Sequence, residues 1–364
     1  MKSVLFLLGR FGIGGVERVT VNVANELVRR GWRVSVVAFE FQKESLIEAF
    51  DSRIGVETLS FPSYRWRNVT RLRQILRKFE VDVVINQWAL PFPVTLMLRL
   101  AMKKGTKLIA FHHTMPNRNK RITGANGAMS WFWARLSALN LRLVYRYNDV
   151  YCVLSESFKG VFSSFTGQND VRKIWVIPNP VDMPPPKGLA KENVILYVGR
   201  LSLAEKRVDR VIDIWRRLSS RLPDWSMEIV GDGPDRQTIE SIASGLPRIK
   251  FCGFQNPYSY YERAKLLLLT SDFEGFGLVL VEAMAYGCVP VSYASFTSLS
   301  DILDGTNGIS VPMPWDSERF SEAVLELIVD QEHWSEMSKR GKEMSAQYRL
   351  AEIVDRYESL MKGC

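Results

Sequence analysis

The chain has 364 residues, of which 46% are hydrophobic and 24% charged, and its formal net charge is +9. This composition is close to that of globular proteins and excludes a disordered or fibrous chain. No apolar stretch reaches the ~20 residues that a transmembrane helix needs. The length exceeds what a single hydrophobic core usually supports, so it predicts about two domains.

The charge is unevenly distributed along the chain. Residues 1–180 contain 27 lysines and arginines against 12 acidic residues, whereas residues 181–364 contain 21 against 27. A basic first half predicts an anionic partner, which is a membrane lipid, a phosphate-bearing substrate or a nucleic acid. The acidic balance of the second half argues against a continuous nucleic-acid track, so no nucleic-acid partner is expected.

The cysteines and the first residues indicate the compartment. Four cysteines are scattered through the chain: Cys152, Cys252, Cys288 and Cys364. Their spacing fits neither a disulfide framework nor a zinc site and favours a reducing cytoplasm. The apolar run Val4–Leu8 ends at Gly9-Arg10 without a small-residue cleavage site, which indicates a buried strand rather than a signal peptide.

Short apolar runs alternate with segments of helical spacing or length in the first half. The predicted strands are Val4–Leu8, Val34–Phe39, Val81–Ile85, Lys107–Phe111, Val150–Leu154 and Ile174–Ile177. The predicted helices are Val16–Arg30, Val69–Phe79 and Val94–Met102. Such alternation is typical of a parallel, doubly wound sheet.

The proline-rich segment Pro178–Pro186 predicts a linker, after which the alternation restarts. The second set of predicted strands is Val194–Val198, Met227–Val230, Ile249–Phe251, Leu266–Leu269 and Val289–Ser292. The accompanying helices are Val208–Leu222, Asp235–Ser244, Leu278–Tyr286, Ser317–Ile328 and a mostly helical tail from Trp334. We therefore predict domains over 1–180 and 181–345, with a C-terminal helix over 346–364 that packs towards the first domain. The active site is expected in the cleft between the two domains.

The strongest local motif is Ser271–Gly287, in which two glycines turn the chain from a strand into a helix. Such a turn places backbone N–H groups and a helix N-terminus at the carboxyl end of a parallel strand, where phosphate binds favourably. Glu274 lies in the turn, and Glu282 lies among apolar residues of the helix. Glu282 either binds ligand hydroxyls or caps a neighbouring backbone group, because a charge in so apolar a helix needs a partner.

Two further turns join strands to helices. In Val198–Arg207, Arg200 and Lys206 offer two cations to a diphosphate, although ordinary solvated charge is the alternative. The turn Gly9–Arg18 is rich in glycine but lacks G-x-G-x-x-G in that register, and Glu40 is the only acidic candidate for a ribose contact. This argues against a nicotinamide-dependent oxidoreductase.

The pair His112-His113 ends the strand predicted at Lys107–Phe111. Alternation along a strand directs the two imidazoles to opposite faces, so one is expected to face the cleft. A single strand-end histidine is more often structural than functional, but this position matches the ligand edge of the sheet.

Taken together, these motifs resemble the family-four retaining glycosyltransferases of the GT-B fold. The matching segments are Gly-Gly-Val-Glu at 14–17, Ile-Pro-Asn-Pro-Val-Asp at 177–182, Val-Gly-Arg-Leu-Ser at 198–202 and Val-Gly-Asp-Gly-Pro at 230–234. Glu274 and Glu282, with seven residues between them, complete the set, and the resemblance covers essentially the whole chain. It implies an α/β GT-B architecture of two Rossmann-like domains facing across a cleft. The first domain would bind the acceptor and the second the nucleotide sugar.

The resemblance also implies roles for individual residues. Arg200 and Lys206 match the cations that hold the donor diphosphate. Glu274 matches the glutamate that contacts the donor sugar, and Glu282 the one that contacts the ribose. The catalytic candidates are therefore Glu274 and a strand-end histidine near the transferred sugar, aligned to His113 with His112 as the alternative. The turns Gly14-Gly15 and Gly275-Phe276-Gly277 would contact the phosphate side of the donor.

The implied reaction moves a hexose or N-acetylhexosamine, with retention at the anomeric carbon, from a nucleoside diphosphate-sugar, with UDP-sugar as the expected donor. The acceptor would be a glycan or a polyprenyl-diphosphate-linked sugar in bacterial surface polysaccharide synthesis. No Asp-x-Asp pair lies at a strand end, so neither a metal nor another cofactor is expected. The alternative is a nucleotide-sugar epimerase of the same fold, which would need acid and base groups beside the sugar ring.

The chain departs from the family pattern at two places. Arg207 stands where glycine is common after Glu-Lys, and it is expected to add charge beside the diphosphate site. The segment Phe296–Asp301 replaces the usual Gly-Pro-x-Glu.

Two segments of the first half combine arginine with aromatic residues. The first is Tyr64–Arg67, which runs into Arg71, Arg73, Arg77 and Lys78; the second is Met129–Arg135 with the following Leu136–Tyr147, which contains Arg142 and Arg146. Tryptophan and tyrosine favour the lipid headgroup region and arginine attracts anionic lipid, so peripheral association with the inner face of the cytoplasmic membrane is expected. Alternatively, the aromatics belong to the core and the arginines are merely solvated.

Overall fold

The computed structural model describes residues 2–61, 65–89, 91–114 and 128–363, and for 128–130 only the backbone. The chain divides into two compact units, which are residues 1–180 with 350–364, and residues 181–349. None of the helices within the described residues is both long and apolar enough to cross a bilayer.

The first unit is a seven-stranded parallel sheet with its connecting helices. Its described elements, in chain order, are β1 (Ser3–Phe11), α1 (Gly15–Arg29), β2 (Arg33–Phe41), β3 (Gly55–Thr58), α2 (Trp66–Lys78), β4 (Val83–Asn86), α3 (Phe92–Ala101), β5 (Lys107–His112), α4 (Ala128–Tyr147), β6 (Val150–Val153), α5 (Glu156–Thr166) and β7 (Ile174–Val176). The strand order is β3-β2-β1-β4-β5-β6-β7. Because the order reverses direction between β1 and β4, a crevice is expected outside the carboxyl ends of these two strands.

Helix α13 (Leu350–Gly363) belongs to the same unit although it follows the second one in sequence. Its Tyr357 ring stacks on Phe111 of β5, with ring centroids 5.5 Å apart and nearly parallel planes. The Glu358 carboxylate accepts a hydrogen bond from Trp32 Nε1 at 2.6 Å. The helix therefore completes the packing of the first sheet.

The second unit is a six-stranded parallel sheet. Its elements are β8 (Glu192–Val198), α6 (Val208–Leu218), β9 (Ser226–Val230), α7 (Arg236–Ile242), β10 (Ile249–Gly253), α8 (Tyr258–Arg263), β11 (Ala264–Leu269), α9 (Leu278–Ala285), β12 (Val289–Tyr293), α10 (Leu299–Ile302), β13 (Ile309–Val311), α11 (Ser317–Val329) and α12 (Gln331–Ser345). The strand order β10-β9-β8-β11-β12-β13 reverses between β8 and β11. The carboxyl ends of β8 and β11 thus define the corresponding crevice of this unit.

The periodicity of α6 explains how the second core forms. Val208, Val211 and Trp215 recur at helical spacing and are completely buried, so one face of the helix is apolar. The Trp215 indole N–H donates to the Pro247 carbonyl at 2.9 Å, which satisfies its polar atom inside the core.

The predicted parallel, doubly wound sheets are confirmed. The sequence prediction did not include the short strands β3 and β13, nor helices α4, α5, α8 and α10. The helix predicted at Val208–Leu222 ends earlier, at Leu218. Strand β3 has only four residues, none of them fully buried, so its alternation is too short to detect.

Candidate functional site

Lys206 and Glu274 meet at the carboxyl edge of the second sheet. Lys206 Nζ lies 2.6 Å from Glu274 Oε1, and the Ser271 hydroxyl donates to the same oxygen at 2.8 Å. The side chains are only 25% and 11% exposed, so water screens the pair weakly. An ammonium group carries three donors, and within the described part of the chain only Glu274 accepts from Lys206 Nζ, so two donors remain for a ligand. The structure thus brings together the predicted cation and the predicted carboxylate of this unit.

Glycines let the loops after β8 and β9 approach one another closely. A Cβ at Gly231, whose φ is +144°, would lie 1.8 Å from the Gly199 carbonyl oxygen. A Cβ at Gly233 would lie 2.3 Å from the Leu201 carbonyl oxygen. The Leu201 N–H donates to the Asp232 carbonyl at 2.9 Å, so the two loops are also hydrogen-bonded. This packing explains the Val-Gly-Asp-Gly-Pro segment.

Arg200 extends from this braced loop into solvent. Its backbone is fixed, because its carbonyl accepts a hydrogen bond from the Tyr197 hydroxyl at 3.1 Å. Among the described residues, none forms a hydrogen bond or ion pair with the Arg200 guanidinium. The side chain therefore keeps its full set of planar donors for a ligand.

The predicted turn into α9 is present. Gly277 has φ +91°, a conformation that favours glycine, and no side chain caps the helix behind it. Phe276 is buried, and its carbonyl accepts a hydrogen bond from the Ser298 hydroxyl at 3.2 Å. Gly275 lies in the same turn. Because the first N–H groups of a helix have no intrahelical partner, this turn offers donors and a partial positive charge to an anion.

Glu282 lies inside α9 and is 9% exposed. Its Oε2 accepts a hydrogen bond from the Tyr261 hydroxyl at 2.8 Å. The sequence indicated that this buried carboxylate needs a polar partner. Tyr261 of α8 is one such partner, and it lies outside the motif that contains Glu282.

Arg207 is held by carboxylates rather than pointing its charge freely at the site. Its guanidinium bonds to Asp209 at 2.9 Å and to Asp272 at 3.1 Å, and hydrogen bonding to these groups raises its pKa above the usual range. Asp272 also accepts from Arg210 at 2.6 Å. The expected extra charge beside the diphosphate site is thus compensated, and these ion pairs instead brace the segment that carries Glu274.

The first unit contains a cavity of about 530 Å³ at the carboxyl ends of β1, β4 and β5, where the strand order reverses. Its described lining is Leu8, Gly9, Arg10, Val16, Glu17, Phe61, Gln87, Trp88, Ala89, Phe111, His112, His113 and Thr114. The volume lies within the range of small-molecule sites, about 300–1,000 Å³. The cavity combines aromatic walls with polar groups.

Both histidines line this cavity. The alternation along the strand had predicted that their side chains point to opposite faces of the sheet. Strand β5 ends at His112, so the alternation does not continue to His113. His112 Nδ1 bonds to the Tyr151 hydroxyl, and His113 Nε2 bonds to Gln87 Oε1. Burial lowers the pKa of His112 to about 4 and that of His113 to about 3. Both imidazoles are therefore neutral at physiological pH and act as hydrogen-bonding groups.

Gly14 and Gly15 lie at the beginning of α1 rather than in the described lining of the cavity. Gly14 is the N-cap and has no side-chain cap, and a Cβ there would lie 2.4 Å from Glu17 Oε2. The next two residues, Val16 and Glu17, line the cavity. The glycine pair thus places a helix N-terminus beside it.

Several residues of these two sites were not selected from the sequence. They are Gln87, Trp88 and Tyr151 in the first unit and Tyr261 in the second. Ser271 and Asp272 belong to the selected motif, but the sequence assigned no role to them. Gln87-Trp88 directly follows β4, and this position at a strand end was the signal that could have indicated them.

Two doubly wound parallel units, each with polar residues at the carboxyl edge of its sheet, form the architecture of the GT-B fold. The family model described as "Glycosyltransferase Family 4" matches residues 13–183 of this chain, and the model described as "Glycosyl transferases group 1" matches residues 182–344. The chain belongs to the family-four glycosyltransferases of the GT-B fold, as its motifs predicted.

Two relatives match along almost their whole length. A Haemophilus influenzae protein described as an uncharacterized glycosyltransferase is 24% identical, covering 99% of this chain and 100% of its own. A Campylobacter jejuni alpha-1,4-N-acetyl-D-galactosaminyltransferase, named for a GalNAc-containing undecaprenyl diphosphate acceptor, is also 24% identical and covers 99% and 98%. The crystal structure of Anabaena HepE with UDP and glucose superposes with a TM-score of 0.77 at 19% identity, covering both chains completely.

Proposed function

We propose that this glycosyltransferase moves a hexose or N-acetylhexosamine, with retention, from a nucleoside diphosphate-sugar to a glycan acceptor. The observation that carries this proposal is the Lys206–Glu274 pair beside the uncapped start of α9. A cation and free helix donors suit a diphosphate, while a carboxylate held beside them suits sugar hydroxyls. The complex of HepE with UDP and glucose supports a UDP-sugar as the donor.

In this proposal the second unit binds the donor. Arg200 and Lys206 hold the diphosphate with the N–H groups of the Gly275–Gly277 turn, Glu274 binds the sugar and Glu282 the ribose. The C1–phosphate oxygen bond breaks while the acceptor oxygen bonds to C1 on the same face, and the acceptor proton passes to a leaving phosphate oxygen. Lys206 and the turn stabilise the charge that develops on that phosphate, a large source of catalysis. Because these groups stabilise the negative charge of the leaving phosphate, the proposed step requires no metal.

The first unit would bind the acceptor, and its candidate contacts to the donor are Gly14-Gly15 for the phosphate side and His113 or His112 for a hydrogen bond with the transferred sugar. Because the neutral His113 imidazole donates through Nε2 to Gln87 Oε1, its Nδ1 is the atom that can accept from a sugar hydroxyl. The name of the Campylobacter relative supports a glycan on a polyprenyl diphosphate as the acceptor, and thus a role in bacterial surface polysaccharide synthesis.

Helix α4 carries an exposed apolar surface, as expected if the acceptor is bound to a membrane. Trp131, Phe132 and Trp133 are each more than half exposed, and Leu136 and Leu139 are also exposed. This set, here called the α4 apolar surface, is accompanied by Arg135, which lies over the Trp131 ring at 4.1 Å. We infer that it lies in the headgroup region of the cytoplasmic membrane, so that the enzyme works at the inner face of the bilayer.

The other arginine-rich segment contributes less than the sequence suggested. Arg71 and Lys78 both lie 2.7 Å from the Glu57 carboxylate, and Arg73 donates to the Leu100 carbonyl. Tyr64 lies outside the described residues, as do the side chains of Met129 and Ser130. The free charge on α2 is thus reduced, and the membrane proposal depends chiefly on α4.

A donor panel tests the proposed chemistry. The purified protein is mixed with UDP-, GDP-, dTDP- and ADP-linked hexoses and N-acetylhexosamines, and both thermal stabilisation and released nucleoside diphosphate are measured. We expect one donor to raise the melting temperature and to release its nucleoside diphosphate. Accumulation of an epimerised nucleotide sugar, or no response to any donor, would contradict the proposal.

A further inference from the structure

One wall of the first-unit cavity is an aromatic corner formed by Trp88 and Phe61, with Phe39 behind them. The Phe61 and Trp88 ring centroids are 5.9 Å apart and their planes meet at 82°. Phe39 lies 5.4 Å from Phe61 and 5.6 Å from Trp88 and is itself buried. Phe61 is 36% exposed and Trp88 is half-buried, so the two rings present apolar surface to the cavity.

The corner is rigidly supported. A Cβ at Gly9 would lie 2.7 Å from the Trp88 ring, so glycine at the end of β1 is what lets the indole pack there. The backbone N–H of Trp88 donates to Asn86 Oδ1 at 3.1 Å, and Asn86 is completely buried. The backbone that carries the indole is thus fixed, and the ring itself packs against Gly9 and Phe39.

Polar groups surround the aromatic corner within the same cavity. They are Arg10, Glu17, Gln87, His112, His113 and Thr114. Arg10 lies over the Phe61 ring at 5.6 Å and uses its Nε for Glu40. Its other four N–H donors have no partner among the residues that the structure describes. A prenyl chain would favour a uniformly apolar lining, whereas this cavity pairs one apolar wall with donors and acceptors.

We propose that the Trp88–Phe61 corner binds a pyranose ring of the acceptor, so that the acceptor is recognised by its sugar and not by its lipid. A pyranose has one face of C–H groups and a rim of hydroxyls. The negative face of an aromatic ring attracts the C–H groups, and the polar lining receives the hydroxyls. This inference rests on the proposed function, because it names the acceptor class of the same enzyme.

Binding of simple glycosides tests the inference without any turnover. The probes are methyl α- and β-pyranosides of glucose, galactose and N-acetylglucosamine, observed by saturation-transfer-difference NMR. For at least one probe we expect the strongest saturation on the protons of a single C–H face. The signal should fall at least fivefold in Trp88→Ala and Phe61→Ala and be largely retained in Trp88→Phe. Trp66→Ala, which removes an exposed tryptophan from α2, is the matched control.

The outcomes separate this inference from the proposed function. Donor binding should be unchanged in Phe61→Ala and Trp88→Phe. The melting temperature should be nearly unchanged in Trp88→Phe and should fall modestly in Phe61→Ala, because the Phe61 ring packs on Phe39 and Trp88. Unchanged glycoside signal in folded Trp88→Ala and Phe61→Ala, or no signal from any probe with the parent protein, would overturn the aromatic subsite. Either result could occur while donor turnover proceeds normally, whereas loss of donor turnover in the parent protein would contradict the proposed function instead.

Discussion

Lys206 and Glu274 form an ion pair that is mostly shielded from solvent, and each group therefore depends on the other when no ligand is bound. A donor diphosphate would share the Lys206 ammonium with Glu274 and the two would compete for its three donors. Arg200, whose guanidinium is exposed on a braced loop, adds a second cation. The two cations thus differ: Lys206 is held in place by Glu274 before the ligand binds, whereas the exposed Arg200 guanidinium can adapt to the ligand.

Lys206→Ala tests this residue pair. Loss of a charge-assisted contact of about 1.5–3 kcal/mol should lower kcat/KM for the donor by roughly tenfold to a hundredfold. Arg221→Ala is a suitable control, because it removes an exposed ion pair with Glu322 in the same unit. Steady-state kinetics on both variants give the comparison. Donor turnover in folded Lys206→Ala within twofold of the parent protein would remove Lys206 from the diphosphate site.

Helix α13 connects the end of the chain to the histidines of the first unit. Tyr357 stacks on Phe111, which in turn stacks on the His113 ring at 4.8 Å. Gln87, the partner of His113 Nε2, is also a neighbour of the Tyr357 hydroxyl, which forms no hydrogen bond with any of the described residues. Burial raises the pKa of Tyr357 well above its usual value, so the hydroxyl stays neutral. The helix therefore supports the His113 ring through this aromatic stack.

Tyr357→Phe keeps the stacked ring and removes only the hydroxyl. If the hydroxyl orients its neighbour Gln87, and through it His113, kcat should fall several-fold; donor KM and melting temperature should stay nearly unchanged, because the stack on Phe111 remains. Tyr357→Ala should instead cost about 3–5 kcal/mol of unfolding free energy, as large-to-small core substitutions do. Kinetics and thermal unfolding of both variants distinguish positioning from packing. If kcat of Tyr357→Phe equals that of the parent protein, the helix has a structural role alone.

The α4 apolar surface makes a prediction about membrane binding. The triple variant Trp131→Ser, Phe132→Ser, Trp133→Ser should lose most co-sedimentation with vesicles of phosphatidylethanolamine and phosphatidylglycerol. Binding of the parent protein should weaken as salt rises, because screening reduces the attraction of Arg135 and its neighbours for anionic lipid. Trp175→Ser, an exposed tryptophan on β7, is the control. Equal, negligible pelleting of all three proteins would contradict the membrane proposal and leave glycosyl transfer untouched.

Across the whole molecule, the buried strands were predictable because both faces of a parallel sheet are covered and their residues form continuous apolar runs. Val4–Leu8, for example, is completely or almost completely buried. The sequence predicted a C-terminal helix that packs towards the first domain, but it could not specify the contacts, such as Tyr357 with Phe111, through which α13 joins that unit. Helix α4 was missed as a helix because apolar residues occupy adjacent positions such as 131–133, which weakens its periodicity.

In the candidate sites, too, residues in local motifs were predicted, whereas residues brought together by tertiary contacts were not. The motif carrying Glu274 and the cation Lys206 were found from the sequence, because each follows a strand end that is visible as an apolar run. The aromatic corner was not found, since Phe61, Trp88 and Gly9 come from three different loops or strands and carry no shared motif. Likewise, the spacing of Arg207 after Lys206 could not reveal that Asp209 and Asp272 compensate its charge.

The configuration of the product tests the central claim most directly. The donor identified by the panel, labelled with ¹³C in its sugar, is incubated with the glycoside that binds best, and the anomeric signals are followed by NMR. The account predicts that the donor signal decays as free nucleoside diphosphate appears, while a new glycosidic signal grows with the anomeric configuration of the donor. A product of inverted configuration would contradict retention, and consumption of donor to an epimerised nucleotide sugar without any new glycosidic bond would contradict glycosyl transfer itself.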